Sequence, residues 1–309
     1  MIPRSEEVQR LTWAASQMVT REMPYTVLKG LFLKLVILTT NGAAAALTAL
    51  QLANVLSDIR VKINGSDTRV SITGEMLYLL NYYDFSKAPA SVIDTAIGSS
   101  KTQSITLYLP FALTRSVRPE DSVLDLRKTQ VTGVSTAYME VTFPAAAIGT
   151  DMTITSGYLY VQTKEYQGAG DKPYIAIHEM SYLQQALNQT GKNRIMLDVG
   201  GQNEYRRFLI LCKNSSSAFS SVQIDKVTLK SRAFSWFDVD SELLRDANAQ
   251  DYSITPQAGV YLLETTTDGK MSERLDAKKL DELVIELDSL VTNGNAWVLK
   301  EKVYYLGAA

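Results

Sequence analysis

Catalysis needs particular side chains gathered in one place, and this sequence offers few of them. It holds one histidine, His178, in the segment YIAIHEMSYL, and one cysteine, Cys212, after the apolar run Phe208–Leu211. An imidazole works as a catalytic base only beside a positioned nucleophile and an orienting group. No Gly-x-Ser-x-Gly elbow accompanies this one, so His178 reads as a structural or surface residue. Cys212 reads as a buried residue at a strand end, since nothing nearby would lower its pKa and make it reactive. One cysteine excludes an internal disulfide and any multi-cysteine zinc or iron–sulfur site, and one histidine excludes two-histidine metal motifs.

Other spacings carry bland readings. Asp238, Asp240 and Glu242 have the rhythm of a cation loop but lack the glycine and the distal glutamate of an EF-hand; they read as helix capping. Gly200-Gly201 lacks the residues that complete a phosphate loop and reads as a turn or bulge. Asn64-Gly-Ser66, Asn188-Gln-Thr190 and Asn214-Ser-Ser216 match glycosylation acceptors, which mean little without a secretory signal. Carboxylates are plentiful, yet none stands out as a pair for glycoside hydrolysis. The sequence therefore assigns no catalytic, metal-binding or cofactor-binding residue, calls for no cofactor, and points away from an enzyme.

The elements that would position any site are more informative. The chain has 309 residues, of which 46% are hydrophobic and 21% charged. That is the make-up of a folded protein of one large or two ordinary domains. Its 31 basic and 33 acidic residues leave a net charge of −2, too little field for sequence-specific nucleic-acid binding. Sixteen tyrosines outnumber the phenylalanines and tryptophans together, which suits strand faces and wet interfaces. The start MIPRSEE is unlike a signal peptide. The apolar run Leu31–Leu38 is broken by Lys34 and falls short of the ~20 residues of a membrane span. The expectation is a soluble protein folded in a cytoplasm.

Residues 5–21 read as a helix: Ser5 as N-cap, Glu6 and Glu7 in the first turn, and Val8, Leu11, Ala15 and Met18 as an apolar stripe ended by Pro24. Tyr25–Leu38 is rich in strand formers, and Gly42–Leu56 is alanine-rich and helical in pattern. Ile59, Val61 and Ile63 alternate up to the turn signal Asn64-Gly65, Val70 and Ile72 return as a hairpin, and Thr73 caps a helix carrying Met76, Leu77 and Leu80. Strands follow at Ile105–Leu109, Ala137–Phe143 and Ile154–Thr163. Gln167–Pro173, with two glycines, an aspartate and a proline, is the best linker in the chain.

The second half repeats this order. Ile195–Cys212 reads as a hairpin broken at Gly200-Gly201. Val222–Leu229 echoes Ile59–Ile63, the helix Asp238–Asp246 echoes Thr73–Tyr82, and Gly259–Leu263, Leu283–Leu287 and Trp297–Leu306 echo the later strands. Eight short strands per half, with helices at loops, predict an all-β fold of two tandem eight-stranded jelly rolls. The expected division is a helical arm at 1–24, a first jelly roll at 25–167, a linker at 168–173 and a second jelly roll at 174–309.

Three stretches carry a family resemblance: PYTVLKGLFLKLVIL, IRVKINGSDTRVSITGEMLYLLNYYD, and its counterpart VQIDKVTLKSRAFSWFDVDSELLRDANAQD. In order and repetition of elements, from about Tyr25 to Leu306, the chain resembles the double jelly-roll major capsid proteins of tailless icosahedral, lipid-containing bacteriophages. The resemblance implies a non-enzymatic virion subunit, assembled in the host cytoplasm. It would form homotrimers that make pseudo-hexagonal tiles and pack against neighbouring trimers, with penton or minor capsid proteins as further partners. It also implies an internal membrane that residues 1–24 would meet, with Arg4, Arg10 and Arg21 facing lipid phosphates or a neighbour's acids. A plain solvated helix face is the other reading of those arginines. Deleting residues 1–23 is then expected to spare both sandwiches and impair assembly. Two readings of other classes stand beside it: a two-domain carbohydrate-binding spike or adhesin, and a jelly-roll hydrolase.

Overall fold

Leu31, Leu33, Leu35 and Ile37 are buried, while Phe32, Lys34, Val36 and Leu38 between them keep some exposure. That two-residue alternation is a strand with one face in a core. The structure, a computed structural model, describes residues 7–112, 123–129, 132–166, 176–201, 203–232, 234–266 and 274–305. The linker segment Gln167–Pro173 and residues Arg4, Ser5, Glu6 and Leu306 lie outside the described residues. The chain divides into two compact units, Met1–Glu179 and Met180–Ala309.

The first unit has eight main strands: β1 (Glu7–Thr12), β2 (Met18–Glu22), β3 (Val27–Ala46), β4 (Asp58–Ile63), β5 (Asp67–Ile72), β6 (Gly98–Pro110), β7 (Ala137–Thr142) and β8 (Thr150–Glu165). Helix α1 (Ala49–Ala53) precedes β4, and α2 (Gly74–Phe85) follows β5. The strands pair antiparallel in two sheets, ordered β1-β8-β3-β6 and β5-β4-β7-β2. The second unit repeats the pattern with β9 (Ala176–Leu187), β10 (Gly191–Met196), β11 (Glu204–Lys213), β12 (Ile224–Lys230), β13 (Ser235–Asp240), α3 (Ser241–Tyr252), β14 (Val260–Glu264), β15 (Val284–Ser289) and β16 (Gly294–Tyr305). Its sheets run β14-β11-β16-β9 and β10-β15-β12-β13.

Counted within each unit, both give first-eighth-third-sixth in one sheet and second-seventh-fourth-fifth in the other. This is the doubled Greek key of a jelly roll, and the chain carries it twice. Inward residues such as Phe208, Ile210 and Cys212 of β11 and Ile285 and Leu287 of β15 share one core cluster.

Several local expectations hold. Asn64 and Gly65 both take positive φ, 52° and 77°, and join the antiparallel pair β4 and β5. The Thr73 hydroxyl accepts from the Met76 N–H at 3.2 Å, capping α2.

Four expectations are corrected. The helical arm at 1–24 is not a helix where it is described. Glu7–Thr12 and Met18–Glu22 are strands, β1 bound to β8 and β2 to β7, with Leu11 fully buried. Ser16, at φ 58°, turns the chain between them. Each strand finds backbone partners along an open sheet edge, which outweighs a short amphipathic stripe of marginal helix stability. Residues 7–22 are thus built into the sandwich rather than held out toward a membrane.

Within Gly42–Leu56 only Ala49–Ala53 is helical. β3 runs on to Ala46 because β8 pairs with it there, and the Ala44 N–H donates to the Asp151 carboxylate at 3.1 Å. Ile195–Cys212 is not a hairpin, since β10 and β11 lie in different sheets. Gly200 and Gly201, at φ 74° and 54°, sit in the crossing between them. The helix expected at Asp238–Asp246 begins at Ser241, residues 238–240 being the end of β13.

Candidate assembly surface

The outer face of the β1-β8-β3-β6 sheet is not the polar surface that solvent would favour. Register sets Arg10, Tyr160, Lys34 and Thr106 side by side across its four strands. The next row holds Gln162, Phe32 and Tyr108. The Phe32 and Tyr108 rings lie 4.9 Å apart, and Phe85, at the end of α2, stands 5.9 Å from Tyr108. The Arg10 guanidinium lies 5.3 Å from the Tyr158 ring centre and 5.8 Å from that of Tyr160. Lys164 Nζ lies 5.4 Å from the Tyr108 ring. Such cation–ring contacts each contribute about 0.5–1 kcal/mol at exposed sites.

Gly30 makes this packing possible, because a Cβ there would come within 2.5 Å of the Tyr108 hydroxyl. That hydroxyl donates to the Lys29 carbonyl at 3.2 Å. Burial, aided by the nearby Asp84 charge, pushes it up to about 12, so it stays a neutral donor at neutral pH.

The face is hollowed in two places. One cavity, of about 460 Å³, is lined by Lys29, Phe85, Lys87, Tyr108 and Lys164 among others. The other, of about 500 Å³, is lined by Lys34, Val36, Tyr160 and Gln162, and shares Phe32 and Thr106 with the first. Among the described residues, no carboxylate lines either hollow. Exposed patches of this make-up commonly mark sites where proteins meet a partner.

The helices after the fifth strand of each unit differ. In α2, Met76, Leu77, Leu79, Leu80, Tyr83 and Asp84 are buried. In α3 only Ser241, Leu244, Asn248 and Tyr252 are, leaving Glu242, Asp246 and Asp251 exposed with Leu243 at 62%.

The residues with chemical potential are spread through structural positions. His178 is buried, and its Nδ1 donates to the Phe111 carbonyl at 3.0 Å. Cys212 is fully buried, which pushes its thiol up to about 12. Asp240 caps α3 by accepting from Glu242 N–H at 2.8 Å and Leu243 N–H at 3.1 Å. Asp238 instead pairs with Lys226 Nζ at 2.9 Å across β12 and β13. Asn64 Oδ1 accepts from Ser135 N–H at 2.7 Å, and Asn214 Oδ1 accepts from Ser216 N–H at 3.0 Å, so both asparagine side chains are used in turns. Asn188 is exposed beyond the end of β9. Arg21 is exposed on β2, and Arg10 stacks on tyrosines instead of lying on a solvated helix. Among the described residues, no group of three His, Cys, Asp or Glu side chains is placed to hold a metal ion, and no helix is long and apolar enough to cross a membrane.

The aromatic face was the feature that residue types alone did not bring out. A signal for it exists: the outward positions of β3 are Phe32, Lys34, Val36 and Leu38, three apolar residues where a solvated face would carry polar ones.

Residues 177–303 match the family model of the viral coat protein P2 C-terminal domain. A search of curated proteins finds no match. Among solved structures, the chain is similar to the STIV MCP, with a TM-score of 0.77 at 16% identity over 99% of this chain and 97% of that one. It is also similar to the major capsid protein P2 from Bacteriophage PM2, with a TM-score of 0.70 at 13% identity over 99% of both chains. A third likeness is to PBCV-1 VP54, fitted into a reconstruction of the virophage Sputnik, with a TM-score of 0.66 at 9% identity over 99% and 95%. Residues 177–303 therefore resemble the viral coat protein P2 C-terminal domain, and the chain shares the double jelly-roll fold of the capsid proteins it is similar to.

Proposed function

We propose that this chain is the major capsid subunit of an icosahedral virus, a non-enzymatic protein whose principal partner is itself. The observation that carries the reading is the twice-repeated strand order, shared over nearly the full length of a phage major capsid protein. Three copies, each with two jelly rolls, supply six similar blocks for one pseudo-hexagonal tile, and neighbouring tiles close the shell. Penton or minor capsid proteins and an internal membrane complete the partners in this reading, within a virion assembled in the host cytoplasm. A near-neutral charge of −2 supports it, since identical subunits then repel one another little. The reading as a carbohydrate-binding spike gains nothing from either comparison.

Sedimentation of the purified chain at micromolar concentration, with electron microscopy of the same sample, tests the proposal. Trimers seen end-on as pseudo-hexagons are expected. A stable monomer at those concentrations, with no trimer in particles, would overturn it.

A further inference from the structure

We propose that the aromatic face of the first unit, ringed by cations, seats helix α3 of a second copy of this chain. The inference rests on the capsid-subunit reading and identifies one contact within it.

The two surfaces match in chemistry. The face presents Phe32, Tyr108 and Tyr160 at its floor and Arg10, Lys34, Lys87 and Lys164 around it, with no lining carboxylate among the described residues. Successive residues of a helix turn by about 100°, so the exposed side of α3 has an order. Leu243, Ala247 and Gln250 lie at its middle, Glu242 and Asp246 along one flank, and Asp251 along the other. A ridge with Leu243 at its centre, set between acids, is the complement of an aromatic hollow between cations. Burying Leu243, which is 62% exposed, supplies the apolar gain, and the charges fix orientation and exclude wrong partners.

The contact joins separate copies of the chain. The surfaces are also unlike each other, which makes the contact heterologous. Heterologous contacts close into rings when the rotation allows, as a cyclic trimer requires. A polyanion such as nucleic acid would suit the cations alone, but it leaves the acidic, apolar side of α3 without a role.

Two double variants of the full chain test this by sedimentation velocity. K34E with K164E reverses the face. D246K with D251K reverses the helix, at positions where lysine does not oppose the helix dipole. Each is expected to keep the wild-type melting temperature and to weaken trimer formation by ~100-fold or more. Combining all four substitutions in one chain should restore the trimer. If wild type is trimeric and either folded double variant associates as tightly, the contact is wrong while the subunit reading stands. If both variants dissociate and the fourfold variant does not recover, the two surfaces are not partners. A monomeric wild type would overturn the subunit reading itself.

Discussion

Asn81 and Asn248 are the eighth residues of α2 and α3, and each grips one backbone position of the next long strand with two hydrogen bonds. Asn81 Nδ2 donates to the Tyr108 carbonyl at 2.7 Å, and its Oδ1 accepts from the Tyr108 N–H at 2.7 Å. Asn248 does the same at Leu262, at 3.0 and 2.9 Å. Tyr108 and Leu262 lie on the sixth strand of their units, the outermost full-length strand of each sheet. An outer strand leaves backbone donors and acceptors unpaired. A primary amide carries one donor and one acceptor at the right separation to satisfy both, and it fixes the helix to the sheet.

Removing either clamp leaves a buried N–H and a buried carbonyl without partners. N81A and N248A are each expected to lower unfolding free energy by about 1–3 kcal/mol. Urea denaturation checks this, and the two losses should be similar because the geometry is. A variant as stable as wild type would show that water or a neighbour replaces the amide without cost.

These helices also mark how much was legible in the sequence. Glu75, Leu77, Asn81, Asp84 and Ser86 recur in register as Glu242, Leu244, Asn248, Asp251 and Ser253, with both serines left-handed at φ 55° and 51° as the helices end. Local signals of this kind (a cap, a turn, a period) can be read from one stretch of chain, and the doubled order rests on them. The first two strands could not be read that way. Arg10 of β1 pairs with Tyr160 of β8, and Val19 of β2 with Val141 of β7. Their partners are more than a hundred residues distant, so no local pattern announces them, and the local period there is that of a short helix. The aromatic face was hidden for the same reason. Each strand shows one or two outward aromatics, and only the register brings Phe32 beside Tyr108.

The second unit holds a charge network at the end of β11. Arg206 Nη1 lies 2.7 Å from Glu301 Oε1, and Arg207 Nε bonds the other oxygen. All three side chains are within 2% of complete burial. A register shift between Tyr205 and Arg207 lets consecutive arginines reach one carboxylate. Glu264 completes the set, 3.3 Å from Arg206 Nε and held by the Tyr252 hydroxyl at 2.7 Å. Glu301→Gln keeps the shape but removes one of two negative charges facing two guanidinium groups. Breaking a buried pair from one side costs about 3–5 kcal/mol, and calorimetric or denaturant unfolding should show a loss of that size. A loss below ~1 kcal/mol would mean that water reaches the site.

Deleting residues 1–23 now carries a different expectation from the one an arm would give. The deletion removes β1 and β2, strips an edge strand from each sheet of the first unit, and uncovers the Leu11 site, which is fully buried. The loss should exceed the ~5–15 kcal/mol that holds a domain folded. The first unit should become sensitive to protease while the second unit retains its protection. Equal protection of both units after the deletion would restore the arm reading.

Acid should act first on the second unit. Glu286 sits between Lys192 at 2.9 Å and Lys230 at 2.8 Å. Burial alone would raise its carboxyl, but the hydrogen bonds and charges of Lys230 and Lys192 hold it below its ordinary 4.5. Asp198 is likewise held below 3.8, chiefly by the hydrogen bond from Lys300, against the opposing effect of burial. A carboxyl that is more acidic in the folded chain stabilises it fully above the unfolded value, and that stabilisation is lost as pH falls through the folded one. In the first unit Asp58 runs the other way, raised by burial, so its protonation in acid favours the fold. Urea midpoints reported by second-unit probes should therefore hold steady above about pH 5 and decline below 4.5. E286Q should start lower at neutral pH and decline less steeply, because one of the titrating groups is gone. Parallel acid limbs for E286Q and wild type would place the sensitivity on other carboxylates.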